Sequence, residues 1–257
     1  SSKPFSTNKK VWKLLKQETY TGYDFDSIWS IDENSSTAYL KNVVKPKDVE
    51  ESSYTYNKMD GTGTVDDPYQ IVDMEDFDDI RNEVQGNYKF VADVDGGNNS
   101  FSPLAESTVV FTGSIDGNGH TLSNVSVSGS QTNYGLITYC SNFVAKNLTL
   151  NNITVNGVAN VGLLCGYNVG GLNIDNVDIK SSTLKATSTS VGGLIGYNYN
   201  TTTNLINVKN SDITSSTITG GSYVGGLVGN INNTTSANNT LESNTAVDTT
   251  VNSGTFA

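Results

Sequence analysis

His120 is the chain's one histidine and stands four residues after Asp116 in IDGNGHTL. A histidine beside a carboxylate can act as a general base. Gly117 and Gly119 place it instead in a tight turn, where a structural imidazole is the expectation. With no second histidine, a serine elsewhere has no other base, and a histidine-based metal cluster cannot form. Paired carboxylates are the stronger enzymatic signal, because glycosidases work with them. The acids gather early: Glu50, Glu51, Asp66, Asp67, Asp76, Asp78, Asp79, Asp93 and Asp95. Further on they are few, chiefly Asp175, Asp178 and Asp212, and no stacked pair among them is evident from spacing. DVDGGNN, from Asp93 to Asn99, is rich in oxygen ligands, but Leu104 falls where an EF-hand requires its bidentate glutamate. A metal-free turn closing a strand at ADVD is expected. A threonine face at Thr214, Thr217 and Thr219 could order water, but Thr does not recur there in neighbouring repeats. The residues therefore assign no catalytic, cofactor-binding or metal site, and no enzyme and no cofactor is expected.

Those residues are carried by a repeated phrase. YGLITY begins at Tyr134, VGLLCGY at Val161, VGGLIGY at Val191 and VGGLVGN at Val224, in steps of 27, 30 and 33 residues. Repetition at this period marks a stacked solenoid. Gly135, Gly162, Gly192, Gly193, Gly225 and Gly226 take equivalent bends, where a neighbouring backbone approaches or the coil turns tightly. Leu136, Leu164, Leu194 and Leu227 follow as inward residues. NLTLNNITV and NSDITSSTIT alternate as half-buried strands. Asn and Ser at the corners can satisfy turn backbones and stack on their copies in the next coil. The fold class is all-β: a right-handed parallel β-helix with one short capping helix and an N-terminal extension.

Composition agrees. Of 257 residues 35% are hydrophobic and 16% charged, a balance that fits β-strands with polar turns better than disorder. A net charge of −11 leaves no basic stripe for phosphates, so no nucleic-acid partner is expected. Lys9, Lys10, Lys13 and Lys16 read as the solvated face of a short helix. No apolar run is long enough to cross a bilayer, and no membrane insertion is expected. Aligning Tyr139 with Tyr167 puts Cys165 opposite Ile137 and Cys140 opposite Asn168. Neighbouring coils bond through shared register positions, so two free thiols are expected, Cys165 as a buried small hydrophobe.

Four regions follow. Residues 1–45 form an N-terminal segment holding Trp12 and Trp29, and 46–58 a polar linker. Residues 59–105 form a lead-in and cap, with a helix near 74–84 and a strand in YKFVADVD. Residues 106–257 form the coils. The VGGLIGY and VGGLVGN phrases resemble the GLUG-motif repeats of large bacterial surface proteins, including some IgA-peptidase and haemagglutinin-like adhesins. GTGTVDDPYQI, YKFVADVD and FTGSIDGNGHTLSNVSV look like the usual lead-in to such an array. TYTGYDFDSIWSIDENSSTAYL, residues 19–40, is similar to the piece that closes one, so the first 45 residues resemble a module's closing segment. The resemblance implies a β-helix on a cell exterior and transfers no catalytic residue.

The reading is a non-enzymatic, extracellular, structural or adhesive module of a bacterial surface protein. Tyr197, Tyr199 and Tyr223 are its candidate contacts with a glycan or a host or surface protein. Thr255-Phe256-Ala257 matches Ser222-Tyr223-Val224, so the array reads as truncated. The chain is then a fragment of a longer protein, or a subunit whose N-terminal segment caps a neighbour's open coil head to tail. A carbohydrate-active β-helix enzyme is the remaining alternative.

Overall fold

The computed structural model describes residues 22–31, 38–41, 59–105, 108–200, 205–234 and 239–254. The lysine cluster at 9–16, Trp12 and the whole linker at 46–58 lie outside these residues. The chain divides into two units, Ser1–Asp60 and Gly61–Ala257. The first contains a short antiparallel pair, Trp29–Ser30 against Tyr39–Leu40. The Asp24 carboxylate accepts the amides of Asp26 and Ser27, closing the turn before it, and Lys41 Nζ donates to the Phe25 carbonyl at 2.8 Å.

The second unit is a parallel β-solenoid of about five turns. Alternation puts one side of each strand inside, and register stacks like on like in columns. One column runs Tyr88, Ile115, Ala145, Ile174 and Val208, all buried. A second runs Val94, Leu122, Leu150, Ile179 and Ile213. A third runs Val127, Val155, Leu184 and Ile218. The repeated phrases supply the last faces: Ile137, Cys165, Ile195 and Val228 in one column, and Val161, Val191 and Val224 in another.

The helix is shorter than periodicity suggests. It spans Met74–Asp79 and tightens into a 3₁₀ turn at Ile80–Asn82. Asp73 caps it, accepting the amides of Glu75 and Asp76. Its end is set by the stack, because the Val84 carbonyl accepts Thr112 and Gly113 amides from the next coil. Buried Phe77 lies against Phe90 and Phe101, so the helix covers the first coil as expected. YKFVADVD is not one strand: Asn87–Phe90 ends, and a second strand, Val94–Ser100, begins after a bend. No helix among the described residues is long and apolar enough to cross a membrane.

The expectation of free thiols is overturned. Cys140 and Cys165 form a disulfide, with their Cα atoms 6.6 Å apart, within the usual range. The predicted register is right, since Cys165 faces Ile137 and Cys140 faces Asn168. What register alone misses is the bend between Ile137 and Cys140: both are fully buried although three residues apart. Side chains on the inside of a bend converge, so Cys165, above Ile137, reaches Cys140 across the corner. Joining residues 25 apart, the bridge contributes about 3–4 kcal/mol by loop-closure entropy.

The glycines of the phrase serve close approach. A Cβ on Gly192 would sit 2.2 Å from the Ile195 carbonyl oxygen and 2.3 Å from the Gly229 nitrogen; one on Gly162 would sit 2.4 Å from the Cys165 oxygen. At Gly226 a Cβ would meet nothing within 4 Å. Gly192→Ala is therefore expected to destabilise the chain by about 1–3 kcal/mol in urea melts, as overpacking does, while Gly226→Ala leaves the midpoint in place.

Candidate functional site

The backbone enters the left-handed region in three columns where the same residue types recur, and at Asn142 and Gly170 two coils do so at a fourth position. Asn118, Asn147, Asn176, Asn210 and Ser243 form one column, with φ between 51° and 57°. Asn98, Asn124, Asn152, Ser181, Ser215 and Asp248 form another, and Asn133, Asn160, Ser190 and Tyr223 a third. Asparagine tolerates this conformation better than most residues. Its amide can also donate to one neighbour and accept from another. Asn176 Nδ2 donates to Asn147 Oδ1 at 3.1 Å, Asn152 to Asn124 at 2.6 Å and Asn160 to Asn133 at 2.6 Å. The expected stacking of corner residues is present.

Beside the first corner runs a register column in which charge alternates: Lys89, Asp116, Lys146, Asp175, Lys209 and Glu242. Lys146 Nζ lies 3.2 Å from Asp116, and Lys209 Nζ 3.3 Å from Asp175. The Asn210 amide and then Lys209 hold the Asp175 carboxyl below the usual carboxylate range. At Asp116 partial burial pushes the carboxyl up, but the Asn118 N–H, Asn147 and Lys146 outweigh it, and the net shift is downward.

His120 does not meet Asp116. Its Nδ1 lies 3.3 Å from Asp93 Oδ1, and the same oxygen accepts the Thr121 amide at 2.9 Å. The Thr121 N–H and then His120 lower the Asp93 carboxyl, and Asn124 and the Gly97 amide lower Asp95. The oxygen-rich loop at 93–99 is thereby tied to the next coil, and no metal-binding cluster occurs among the described residues.

One acid pair that spacing concealed does stack. Asp178 and Asp212 precede the paired Ile179 and Ile213, and Asp212 donates its amide to Asp178 Oδ1 at 3.1 Å. Asp212 in turn accepts the Thr245 amide at 3.0 Å. Each carboxylate thus binds the backbone of the coil above it.

Of the candidate contact residues, Tyr197 belongs to an aromatic column. Tyr139, Tyr167 and Tyr197 share a register position, with centroids 5.5 Å and 5.2 Å apart, the latter pair stacked at 13°. Burial, followed by Tyr197, Tyr199 and Tyr139, pushes the Tyr167 hydroxyl up. Asn230 takes the next place in the column, and Asn232, opposite Tyr199, donates to Tyr197 Oη at 3.0 Å. Tyr199 sits two residues on, half-buried, while Tyr223 is exposed at the third corner on a separate short sheet. The structure thus joins Tyr197 with Tyr139 and Tyr167, and leaves Tyr223 apart. The first ring, Tyr139, was absent from the sequence-derived contacts, although its alignment with Tyr167 signalled it.

No family profile matches the chain. Over 151 residues it is 34% identical to Halomucin of Haloquadratum walsbyi, a match covering 53% of this chain and 2% of that protein. The chain thus spans a very small part of this relative. Among solved structures, a Bacteroides ovatus protein named, provisionally, as an immunoglobulin A1 protease is 16% identical, with a TM-score of 0.40 over 68% of this chain and 65% of that one.

The lowered carboxyls make stability depend on acid. A depressed folded-state value contributes stability above the unfolded value and loses it as pH falls through the folded one. For Asp93, Asp95, Asp116 and Asp175 the melting temperature should stay flat from pH 7 to about 5 and fall below about 4. The double variant Asp116→Asn, Asp175→Asn should flatten that acid limb in thermal melts followed by circular dichroism.

Proposed function

We propose that this chain is a non-enzymatic, extracellular module of the GLUG-repeat kind, serving as spacer and adhesive surface in a larger surface protein. The observation that carries the location is the buried Cys140–Cys165 disulfide, since such bridges persist in oxidising compartments and are rare in reducing ones. The likeness to a stretch of Halomucin, a protein named as a mucin, agrees with a repeat-built exterior role. The adhesive part rests on the Tyr139–Tyr167–Tyr197 column, which lines polar-tipped aromatic rings along one face. The non-enzymatic part is supported by the acids: Asp178 and Asp212, the stacked pair, each accept a backbone amide.

Antibody against the chain should label producing cells without permeabilisation, and alkylation should reach Cys140 and Cys165 only after reduction. Labelling that needs permeabilisation would overturn the location. Glycan turnover, or cleavage of immunoglobulin A1, by the purified chain would overturn the non-enzymatic reading.

A second reading is the head-to-tail subunit, in which the N-terminal segment of one chain adds to the parallel edge of a neighbour's coil. Light scattering over a concentration series should then show assembly by the intact chain that is lost without residues 1–45; a concentration-independent monomer sinks this reading.

A further inference from the structure

We propose that a cleft lined by Tyr139 and Arg81 binds one neutral sugar residue of an oligosaccharide, in contact with the Tyr139 ring. The proposal rests on the adhesive reading above and gives it a site. The cleft has a volume of about 600 Å³, within the range of small-molecule sites, and Arg81, Ser102, Gln131, Tyr134, Thr138 and Tyr139 line it. It opens where the aromatic column stops. Tyr139 packs at a tilt against Tyr167 and also lines the cleft, so a pyranose ring held there would extend the aromatic column. The axial C–H bonds of a sugar meet an aromatic face much as a second ring does.

The walls are already in place. Leu104 donates to the Leu136 carbonyl at 2.7 Å and Thr138 to the Leu104 carbonyl at 2.8 Å, anchoring the 102–103 wall. Asn133 and Tyr134 donate to Ala159 and Asn160 in the next coil, and Asn133 Nδ2 reaches Tyr139 Oη, fixing the ring. A prefixed site avoids the ordering cost that weakens most sugar binding.

The polar groups select charge. Arg81 Nη2 holds both Asp78 and the Ser102 carbonyl, and its guanidinium lies 5.9 Å from the Phe101 ring centroid. Among the described residues nothing accepts from its Nη1 or Nε. The guanidinium is therefore neutralised by Asp78 yet retains donors, and the Asp78 carboxylate, about half exposed, offers an acceptor beside them. A side-by-side donor and acceptor suits vicinal hydroxyls. A carboxylated sugar would have to displace Asp78 and approach a chain of net charge −11.

Isothermal titration of the intact chain with cellohexaose, mannohexaose and tetragalacturonate tests this. One neutral hexasaccharide should bind with little dependence on salt, and Arg81→Gln and Tyr139→Leu should each weaken it about tenfold, the scale of one charge-assisted hydrogen bond or stacked ring. Lys185→Gln, at an exposed strand position away from the cleft, should bind as the parent does. Arg81 lies on the partly exposed 3₁₀ turn, so Arg81→Gln keeps the test open if Tyr139→Leu does not fold. Preference for tetragalacturonate, or no binding of either neutral probe, overturns the proposal. Neutral binding unchanged by both variants also overturns the cleft but leaves the adhesive reading standing, and surface labelling judges that reading separately.

Discussion

A parallel coil has to change direction three times without leaving the hydrogen-bond spacing to the coils on either side. That constraint governs this molecule. Each turn places one residue at positive φ, and the next coil places its own directly above, about 4.8 Å away. A side chain there must tolerate the backbone and also accept an identical neighbour. Asparagine does both, because its amide carries a donor and an acceptor at one end. The residue just after the corner adds a second link: Ser182, Ser211 and Ser216 hydroxyls turn back to the carbonyl two residues earlier while accepting an amide from the preceding coil. Among the described residues no buried side-chain nitrogen or oxygen is left without a partner.

Apolar columns alone would not fix register, because Val, Ile and Leu exchange readily from coil to coil. The alternating charges do. A slip by one coil would put Lys146 beside Lys209, or Asp116 beside Asp175, instead of the observed opposite pairs. Each exposed pair is worth little by itself. A column in which skipping one coil brings like charges together discriminates better than its pairs stabilise. The buried amides of Asn168 and Asn198, 2.5 Å apart, add a second constraint in the interior, where a misaligned polar group would stay unsatisfied.

How much of this could be read from residues alone follows from the same geometry. The phrase from Tyr134 to Val228 repeats glycine, a large apolar residue and often tyrosine at nearly fixed spacing, so the solenoid, the inward leucines and the Tyr167–Tyr197 pairing are legible. The second half of each coil varies in length. Asn176 stands 29 residues after Asn147 but Asn210 stands 34 after Asn176, which hid the Asp178–Asp212 pair and the charge column. The disulfide was missed for a different reason. Register describes neighbours along the stack, whereas Cys140 and Cys165 meet around the inside of a bend, which no alignment of repeats represents. The helix was overextended because its periodicity continues to Val84, while the carbonyl of Val84 is claimed by Thr112 and Gly113.

Repetition also shapes where recognition can occur. Inside the array each coil fills the groove above the previous one, so side chains that might hold a ligand are spent on their own copies, as Asp178, Asp212 and the corner asparagines are. A concave site requires the repeat to fail. It fails at the first phrase, where the preceding coil supplies the non-repeating Phe101-Ser102-Pro103 stretch and Tyr139 is the first ring of the aromatic column. The cleft that Tyr139 and Arg81 line follows from that one irregularity. Filling it with a matching ring would extend the column and remove the site. In a fold whose stability comes from copying, binding capacity is concentrated at the place where the copy is incomplete.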